Sequence, residues 1–227
     1  MIDIKNIPGC NGFGTNGKRL FFGAAATLHS ISESGIFPLL GLAGGRIADH
    51  TIQVKITLGG NLAGTIHYHE TLLPLLLADA SIHIVSPAGS REAPVSEVLA
   101  QNRGLKPGEL IVKVSLDSYF SDCPYAHIKR TKDEKIGYPL LSAAAIHLDN
   151  TVRMAVSGLC GYPFRFPDLR TDEGCETFEL ADRLTQSIPA PVLNDISGSA
   201  PYRIFIMKKT AEKIIGHFMI KKGENLC

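Results

Sequence analysis

Along the first third of the chain, the spacing of hydrophobic residues predicts strands in some segments and helices in others. Alternation over residues 1–11 predicts an extended segment, and the apolar run at 19–22 predicts a strand. A helical pattern opens at residue 27 and ends at Gly35, and small apolar residues over 39–48 predict a second helix. Leucines dominate residues 71–78, which are predicted to form a third helix.

The rest of the chain has the pattern of a strand meander followed by helices. Strands are predicted over 81–85, 110–116, 125–130, 140–148 and 151–157, and helices over 94–99, 176–186 and 199–218. Asp149 and Asn150 form the predicted turn of a hairpin. The polar segment 117–124 is the candidate boundary between two units, 1–117 and 118–227. This order of elements predicts an α+β fold.

Composition narrows the functional classes. The 227 residues carry a formal net charge of +1 at pH 7, so we expect no field that attracts nucleic acid or a membrane surface. Neither a bilayer-spanning apolar run nor a secretory signal pattern is visible, which predicts a cytoplasmic protein. The five cysteines are scattered singly and lack the spacing of zinc or iron–sulfur ligands. We therefore expect reduced thiols that hold no cluster.

The segment TLGGNLA at residues 57–63 is the most informative motif. Two adjacent glycines permit positive φ, so successive amide hydrogens can point into one concavity that suits an anion. The side chains of Thr57 and Asn61 flank that concavity and can bind phosphate or sugar hydroxyls. A tight turn between two packed elements is the alternative interpretation of the glycine pair.

Three other motifs have simpler interpretations. The segment GFGTNG at 12–17 matches the dinucleotide fingerprint, but no buried strand precedes it, so a hairpin loop is predicted instead. His67 and His69 have a spacing that suits a metal on a strand, but no third ligand is evident and exposed loop histidines are favoured. The mixed charges at 129–135 are typical of a solvated loop.

Five ordered segments resemble the FAD-binding subunit or domain of the molybdenum hydroxylases, such as xanthine dehydrogenase and the aerobic carbon monoxide dehydrogenases. They are FGAAATL at 22–28, TLGGNL at 57–62, LLLADA at 75–80, PGELI at 107–111 and SAPYR at 199–203. The resemblance runs from the start of the chain to about residue 217. It implies a PCMH-like FAD-binding subdomain followed by an α+β C-terminal subdomain of antiparallel strands and helices.

The resemblance also implies which residues hold FAD. They are Thr27, Ile47, Thr57, Leu58, Gly59, Gly60, Asn61, Glu70, Ile111 and Lys129. The glycine segment would contact the pyrophosphate and ribityl chain, Glu70 the ribityl hydroxyls, Ile47 the adenine, Ile111 the isoalloxazine face and Lys129 the polar edge of the ring. No residue of the chain is expected to act as a nucleophile or general base.

The implied function is electron transfer within a complex. Electrons would pass from a molybdopterin subunit through [2Fe–2S] clusters to FAD and then to NAD or another acceptor. Two departures from the family pattern are Gln53-Val54 in place of Arg-Asn and the absence of about fifty preceding residues with a first phosphate loop. Either a separate chain would supply that lobe, or the chain is a shortened or degenerate subunit. The alternatives are a structural subunit that has lost FAD and a binding module for another nucleotide.

Overall fold

The computed structural model describes residues 3–65, 68–100, 104–131, 137–171 and 174–220. Its first half contains, in chain order, β1 (Phe13–Asn16), β2 (Arg19–Gly23), α1 (Leu28–Ser34), α2 (Pro38–Gly44), α3 (His50–Gln53), α4 (Leu58–Leu62), α5 (Leu72–Leu77), β3 (Ser81–Ser86), β4 (Gly89–Pro94), α6 (Val95–Val98) and β5 (Leu110–Asp117). The second half contains a 3₁₀ turn (Ser118–Ser121), β6 (Tyr125–Thr131), β7 (Pro139–Leu148), β8 (Thr151–Ser157), β9 (Phe164–Arg165), β10 (Leu169–Arg170), α7 (Thr177–Gln186) and α8 (Ala200–Ile220).

The strands form two antiparallel sheets, one from each half of the chain. The first has the order β1-β2-β5-β3-β4 and ends at Asp117. The second has the order β10-β8-β7-β6, with β9 paired to β8. The predicted α+β class is confirmed. The predicted boundary lies between the two sheets, and the division into two domains stays a prediction.

Short-range signals placed most elements correctly. The Thr27 side chain accepts a hydrogen bond from Ser30 N and caps α1, and Gly35 ends that helix with a φ of 63°. Residues 12–17 contribute to the β1–β2 hairpin, as predicted, so they do not form the strand–turn–helix unit in which the dinucleotide fingerprint works. Asp149 and Asn150 both have positive φ, as their tight hairpin turn between β7 and β8 requires.

One predicted element is wrong, and another is longer than the helix that the structure shows. Residues 3–11 form turns and bends, because Pro8 and Gly9 interrupt the alternation and Gly9 has a φ of 85°. The predicted helix over 39–48 is shorter, since α2 ends at Gly44 and the chain then leaves helical geometry. Ala48 has a φ of 52°, which no α-helix contains.

Helix α5 links the two halves of the molecule. All six of its residues are buried, and it packs against β7, β8 and β9 as well as α2 and α6. At its C-terminal end, Arg153 donates to the carbonyl of Leu77 and to Asp79, at 2.9 and 2.8 Å. Arg165 also pairs with Asp79, at 2.8 Å. These cations satisfy carbonyls at the helix end and tie it to the second sheet.

Helices α7 and α8 cover the opposite face of the second sheet. Their buried residues form a second core with β6, β7 and β8. Arg203 of α8 is completely buried and donates to the carbonyls of Leu140 and Gly158, on β7 and just after β8. It also makes a bidentate pair with Asp195, at 2.8 and 2.9 Å. Arg203 therefore joins α8 to two neighbouring strands.

Within the described residues, no helix combines the length and apolarity needed to cross a bilayer.

Candidate functional site

A groove runs along the junction between the two halves of the chain. A cavity of about 380 Å³ is lined by Ile47, Ala48, Ile52, Ile56, Asn61, Tyr68, Glu70, Lys129, Gly137, Tyr138 and Pro139. An adjoining cavity of about 370 Å³ is lined by Lys55, Ile56, Thr57, Gly60, Asn61 and Gly64. The two cavities share Ile56 and Asn61, and we refer to them together as the groove. Six sequence-predicted residues line it: Ile47, Thr57, Gly60, Asn61, Glu70 and Lys129.

A buried ion pair forms one wall of the groove. Lys129 Nζ lies 3.2 Å from Glu70 Oε1, and their side chains are only 12% and 5% exposed. Lys129 also donates to the carbonyl oxygen of Arg46, at 2.7 Å. An ammonium group has three donors, so these two contacts leave one for an acceptor in the groove. The segment before α5 and strand β6 thus bring opposite charges together across the junction.

A neutral histidine supports this pair from inside the protein. Arg46 Nη1 donates to the carbonyl of His127, at 2.7 Å, and lies 3.1 Å from its Nδ1. Because arginine cannot accept, His127 Nδ1 is the acceptor and the proton lies on Nε2. Complete burial, with the charges of Arg46 and Lys129 adding to it, lowers the pKa of His127 to about 3. The site therefore adds no third positive charge at neutral pH.

The glycine segment differs from its prediction. Residues 58–62 form the short helix α4, capped by Thr57, and neither glycine has a positive φ. Four successive amides are bonded within the chain: Leu58 N to Ala26 O at 2.8 Å, Gly59 N to Ala24 O at 2.8 Å, Gly60 N to Thr57 Oγ1 at 3.2 Å and Asn61 N to Thr57 O at 2.9 Å. The expected cradle of outward-pointing amides is therefore wrong. The Thr57 hydroxyl accepts from the Gly60 amide, and the other three amides donate to backbone carbonyls instead.

The two glycines have different physical roles. Gly59 is buried, and an added Cβ would lie 2.6 Å from the Cβ of Ala24, so glycine allows α4 to approach the segment after β2. Gly60 is exposed on the groove, and its Cβ would approach only Thr57 Oγ1, at 3.1 Å. A side chain at position 60 would thus occupy space open to a ligand.

This difference gives a paired prediction for alanine substitutions. We expect Gly59→Ala to lower the free energy of unfolding by about 1–3 kcal/mol, since Ala24 must shift to make room. Gly60→Ala is expected to change it by less than about 1 kcal/mol, because the helical preference of alanine offsets one close contact. Urea unfolding of the two variants measures both values. A larger loss for Gly60→Ala than for Gly59→Ala would contradict these roles.

The remaining predicted residues lie outside the groove. Leu58 is fully buried in the first core, and Thr27 pairs through its backbone with Thr57. Ile111 is buried in the first sheet opposite Ile84 and is not among the groove residues. Their positions give each of them a packing role. His67 and residues 132–135 of the charged run lie outside the described residues, and among the described residues no group of three metal-ligating side chains occurs.

Sequence reasoning missed an aromatic wall. The rings of Tyr68 and Tyr138 stack with centroids 5.2 Å apart and an interplanar angle of 20°. Tyr138 is 72% exposed, which is unusual for so large a ring, and both tyrosines line the groove. A tyrosine between glycine and proline, in Gly137-Tyr138-Pro139, was the only sequence signal available.

The chemistry of the groove fits a dinucleotide that contains a polyol and planar rings. Glu70 offers a carboxylate to hydroxyl donors, and Lys55, Asn61 and Lys129 offer donors to phosphate or to ring acceptors. The isoleucines supply apolar surface, and the ring of Tyr138 supplies a flat face on which a ligand ring can stack. The open side of Gly60 admits a group close to the backbone. The amides of residues 58–61 are not among the phosphate donors, because each is already bonded within the chain.

Comparison with protein families gives a match over the first half of the chain. Residues 1–117 match the model described as the FAD binding domain in molybdopterin dehydrogenase.

Curated relatives extend the similarity. The chain is 25% identical to the nicotine 6-hydroxylase medium subunit of Paenarthrobacter nicotinovorans, over 95% of this chain and 80% of that subunit. It is 23% identical to the xanthine dehydrogenase FAD-binding subunit of Escherichia coli O157:H7, over 100% of this chain and 83% of that subunit. The 6-hydroxypseudooxynicotine dehydrogenase complex subunit alpha of P. nicotinovorans is 31% identical over 124 residues, which span 51% of this chain and 41% of that subunit.

Solved structures share the fold. Quinoline 2-oxidoreductase from Pseudomonas putida 86 superposes with a TM-score of 0.82 at 20% identity, over 95% of this chain and 80% of that one. Carbon monoxide dehydrogenase from Hydrogenophaga pseudoflava, in a form lacking the Mo-pyranopterin moiety, superposes with a TM-score of 0.84 at 19% identity, over 94% and 79%. At these identities the likeness concerns the fold alone.

Proposed function

The chain belongs to the family of FAD-binding domains in molybdopterin dehydrogenases, and on that premise we propose that it is the flavin subunit of a molybdenum hydroxylase complex. FAD is its cofactor, and the protein is a component of an oxidoreductase. Bound FAD would supply the redox chemistry that links an iron–sulfur subunit, reduced by a molybdopterin subunit, to NAD or another acceptor. The buried Glu70–Lys129 pair on the wall of the groove is the observation that carries it.

The groove residues would divide the work of holding FAD. Glu70 would accept hydrogen bonds from the ribityl hydroxyls, and Lys129 would place its positive charge and remaining donor at the polar edge of the isoalloxazine ring. Thr57, Gly60 and Asn61 would lie along the pyrophosphate. These roles suit the chemistry of the side chains, since a carboxylate accepts from hydroxyls and an ammonium group donates to ring acceptors.

Apolar contacts would complete the site. Ile47 would pack near the adenine, and the exposed ring of Tyr138 would supply a flat face for one of the two ring systems. Ile111 has no part in this arrangement because it is buried in the first sheet. The redox chemistry belongs to the flavin, and the protein binds it, orients it and sets the charge around it.

A titration of the purified chain with FAD tests the proposal. Bound flavin gives a visible absorption band, and we expect Lys129→Met and Glu70→Gln to weaken FAD binding by roughly 10- to 100-fold, because each removes a charged hydrogen-bonding partner. Lys213→Met replaces an exposed lysine of α8 and serves as the control. Equal affinity in Lys129→Met and in the control would place FAD elsewhere.

The second candidate function is a structural subunit that does not hold FAD. The observation that favours it is the bonding of the Leu58, Gly59, Gly60 and Asn61 amides within the chain, which removes these four donors from the diphosphate. The same titration separates the two candidates. A colourless protein that shows no saturable FAD binding would support the structural subunit and overturn the flavin subunit.

A further inference from the structure

A buried glutamine side chain bonds three carbonyls of the loop that follows α2. Gln53, on α3, is 8% exposed, and its Nε2 lies 2.9 Å from the carbonyl of Gly45, 3.1 Å from that of Ile47 and 3.3 Å from that of Ala48. A side-chain amide has two N–H donors, so the three carbonyls share them. One side chain thus bonds the segment 45–48 at three of its four carbonyls.

The backbone conformation of this segment needs stabilising contacts from outside the segment. The chain passes from αR geometry at Gly45 to a φ of 52° at Ala48. A left-handed alanine costs on the order of 1–2 kcal/mol and persists only where surrounding contacts hold it. The carbonyls that Gln53 binds lie on both sides of this reversal, so its amide stabilises the turn directly.

The same segment forms part of the groove. Ile47 and Ala48 line it, and the carbonyl of Arg46 accepts the 2.7 Å hydrogen bond from Lys129. The side chain of Arg46 reaches His127 beneath the ion pair. A displacement of the segment would therefore move an apolar wall and an acceptor of Lys129 together.

We propose that Gln53 is a positioning residue of the flavin groove, whose side-chain amide holds the 45–48 loop in the conformation that places Ile47 beside the ligand and the Arg46 carbonyl on Lys129. The proposal rests on the proposed function, in which the groove holds FAD. Gln53 does not line the groove and acts only through the loop. Its donor chemistry is the property required, because all of its three partners are carbonyl oxygens.

Two substitutions of similar size separate donor chemistry from packing. Gln53→Met keeps the volume and removes both donors, which leaves the three carbonyls without this partner. Gln53→Glu places a carboxylate against carbonyl oxygens and is expected to have the larger effect. Gln186→Glu, at the exposed end of α7, introduces the same charge away from the groove and is the matched control.

Hydrogen–deuterium exchange of the full chain without FAD tests the loop itself. In Gln53→Met we expect amides of residues 45–49 to exchange at least about tenfold faster, while the strands of both sheets keep their protection. Unchanged exchange in this segment would overturn the proposal. Faster exchange throughout the protein would also overturn it, because it would show that Gln53 contributes only to global stability.

Flavin measurements then test the link to the groove. We expect FAD affinity to fall in the order wild type, Gln53→Met, Gln53→Glu, with a loss of about tenfold for the methionine variant. The midpoint potential of bound FAD should become more negative in Lys129→Met, which removes a positive charge from the ring, and to a smaller extent in Gln53→Met, which displaces that charge. Gln186→Glu should match wild type in both measurements. Wild-type affinity and potential in folded Gln53→Met would overturn the positioning role. If Lys129→Met also binds FAD normally, the proposed function fails separately, and the exchange experiment still decides whether Gln53 holds the loop.

Discussion

Replacing Arg203 with methionine is expected to lower the free energy of unfolding by about 3–5 kcal/mol, the range found when one partner of a buried ion pair is removed. The guanidinium is wholly buried and donates to two carbonyls and to both oxygens of Asp195. Methionine fills most of the volume but leaves Leu140 and Gly158 with buried carbonyls that lose a charged donor. Urea unfolding measures the loss.

Two further variants show whether geometry or charge is responsible. Arg203→Lys keeps the charge but cannot reproduce the planar fork, so an intermediate loss is expected. Lys209→Met removes an exposed surface pair with Glu212 on the same helix and should change stability by less than about 1 kcal/mol. If Arg203→Met were as stable as Lys209→Met, Arg203 would not join α8 to the sheet.

The free energy of unfolding is expected to fall as the pH drops from 6.5 toward 3. Part of this fall is due to His127, and a substitution at that position measures it. The pKa of His127 is about 3 in the folded protein and 6.5 in the unfolded chain. Between these two values, His127 is protonated in the unfolded chain and neutral in the folded protein. Stability present above pH 6.5 is therefore lost on acidification. The slope is about 1.4 kcal/mol per pH unit, or roughly 2 kcal/mol by pH 5.

Unfolding curves at several pH values for His127→Gln test this assignment. Glutamine keeps an oxygen that can accept from Arg46 but does not titrate, so the variant should lose less stability between pH 6.5 and 4 than wild type. His50→Gln, at an exposed position, should follow the wild-type profile. Parallel profiles for wild type and His127→Gln would show that His127 is not the group responsible.

Local chemistry explains which elements could be predicted from the sequence. The Thr27 cap, the Gly35 terminus and the Asp149-Asn150 turn each depend on a few adjacent residues, so their signals are complete within the sequence. The prediction of an extended segment over residues 3–11 is wrong because it gave more weight to the period-two alternation than to the turn signal of Pro8-Gly9. The other wrong predictions concern residues whose conformation depends on tertiary contacts.

The glycine pair shows this most clearly. From the sequence, Gly59 and Gly60 have the same conformational freedom, and a phosphate cradle is a reasonable interpretation. The contact of Gly59 with Ala24 arises only when α4 packs beside the segment after β2, and that packing consumes the amides. In the same way, Tyr138 joins the site through long-range placement against Tyr68, which no local pattern specifies. Gln53 bonds carbonyls only a few residues before it, but neither helix nor turn periodicity marks that contact.

The groove draws Glu70 from one half of the chain and Lys129 and Tyr138 from the other, so a ligand seated there touches both. By mass action, any molecule that prefers this joined arrangement strengthens it, by about 2.7 kcal/mol at a hundred times its Kd. If the groove holds FAD as proposed, FAD binding and the association of the two halves are linked. A weakened junction would then lower the affinity for FAD, and loss of FAD would weaken the junction.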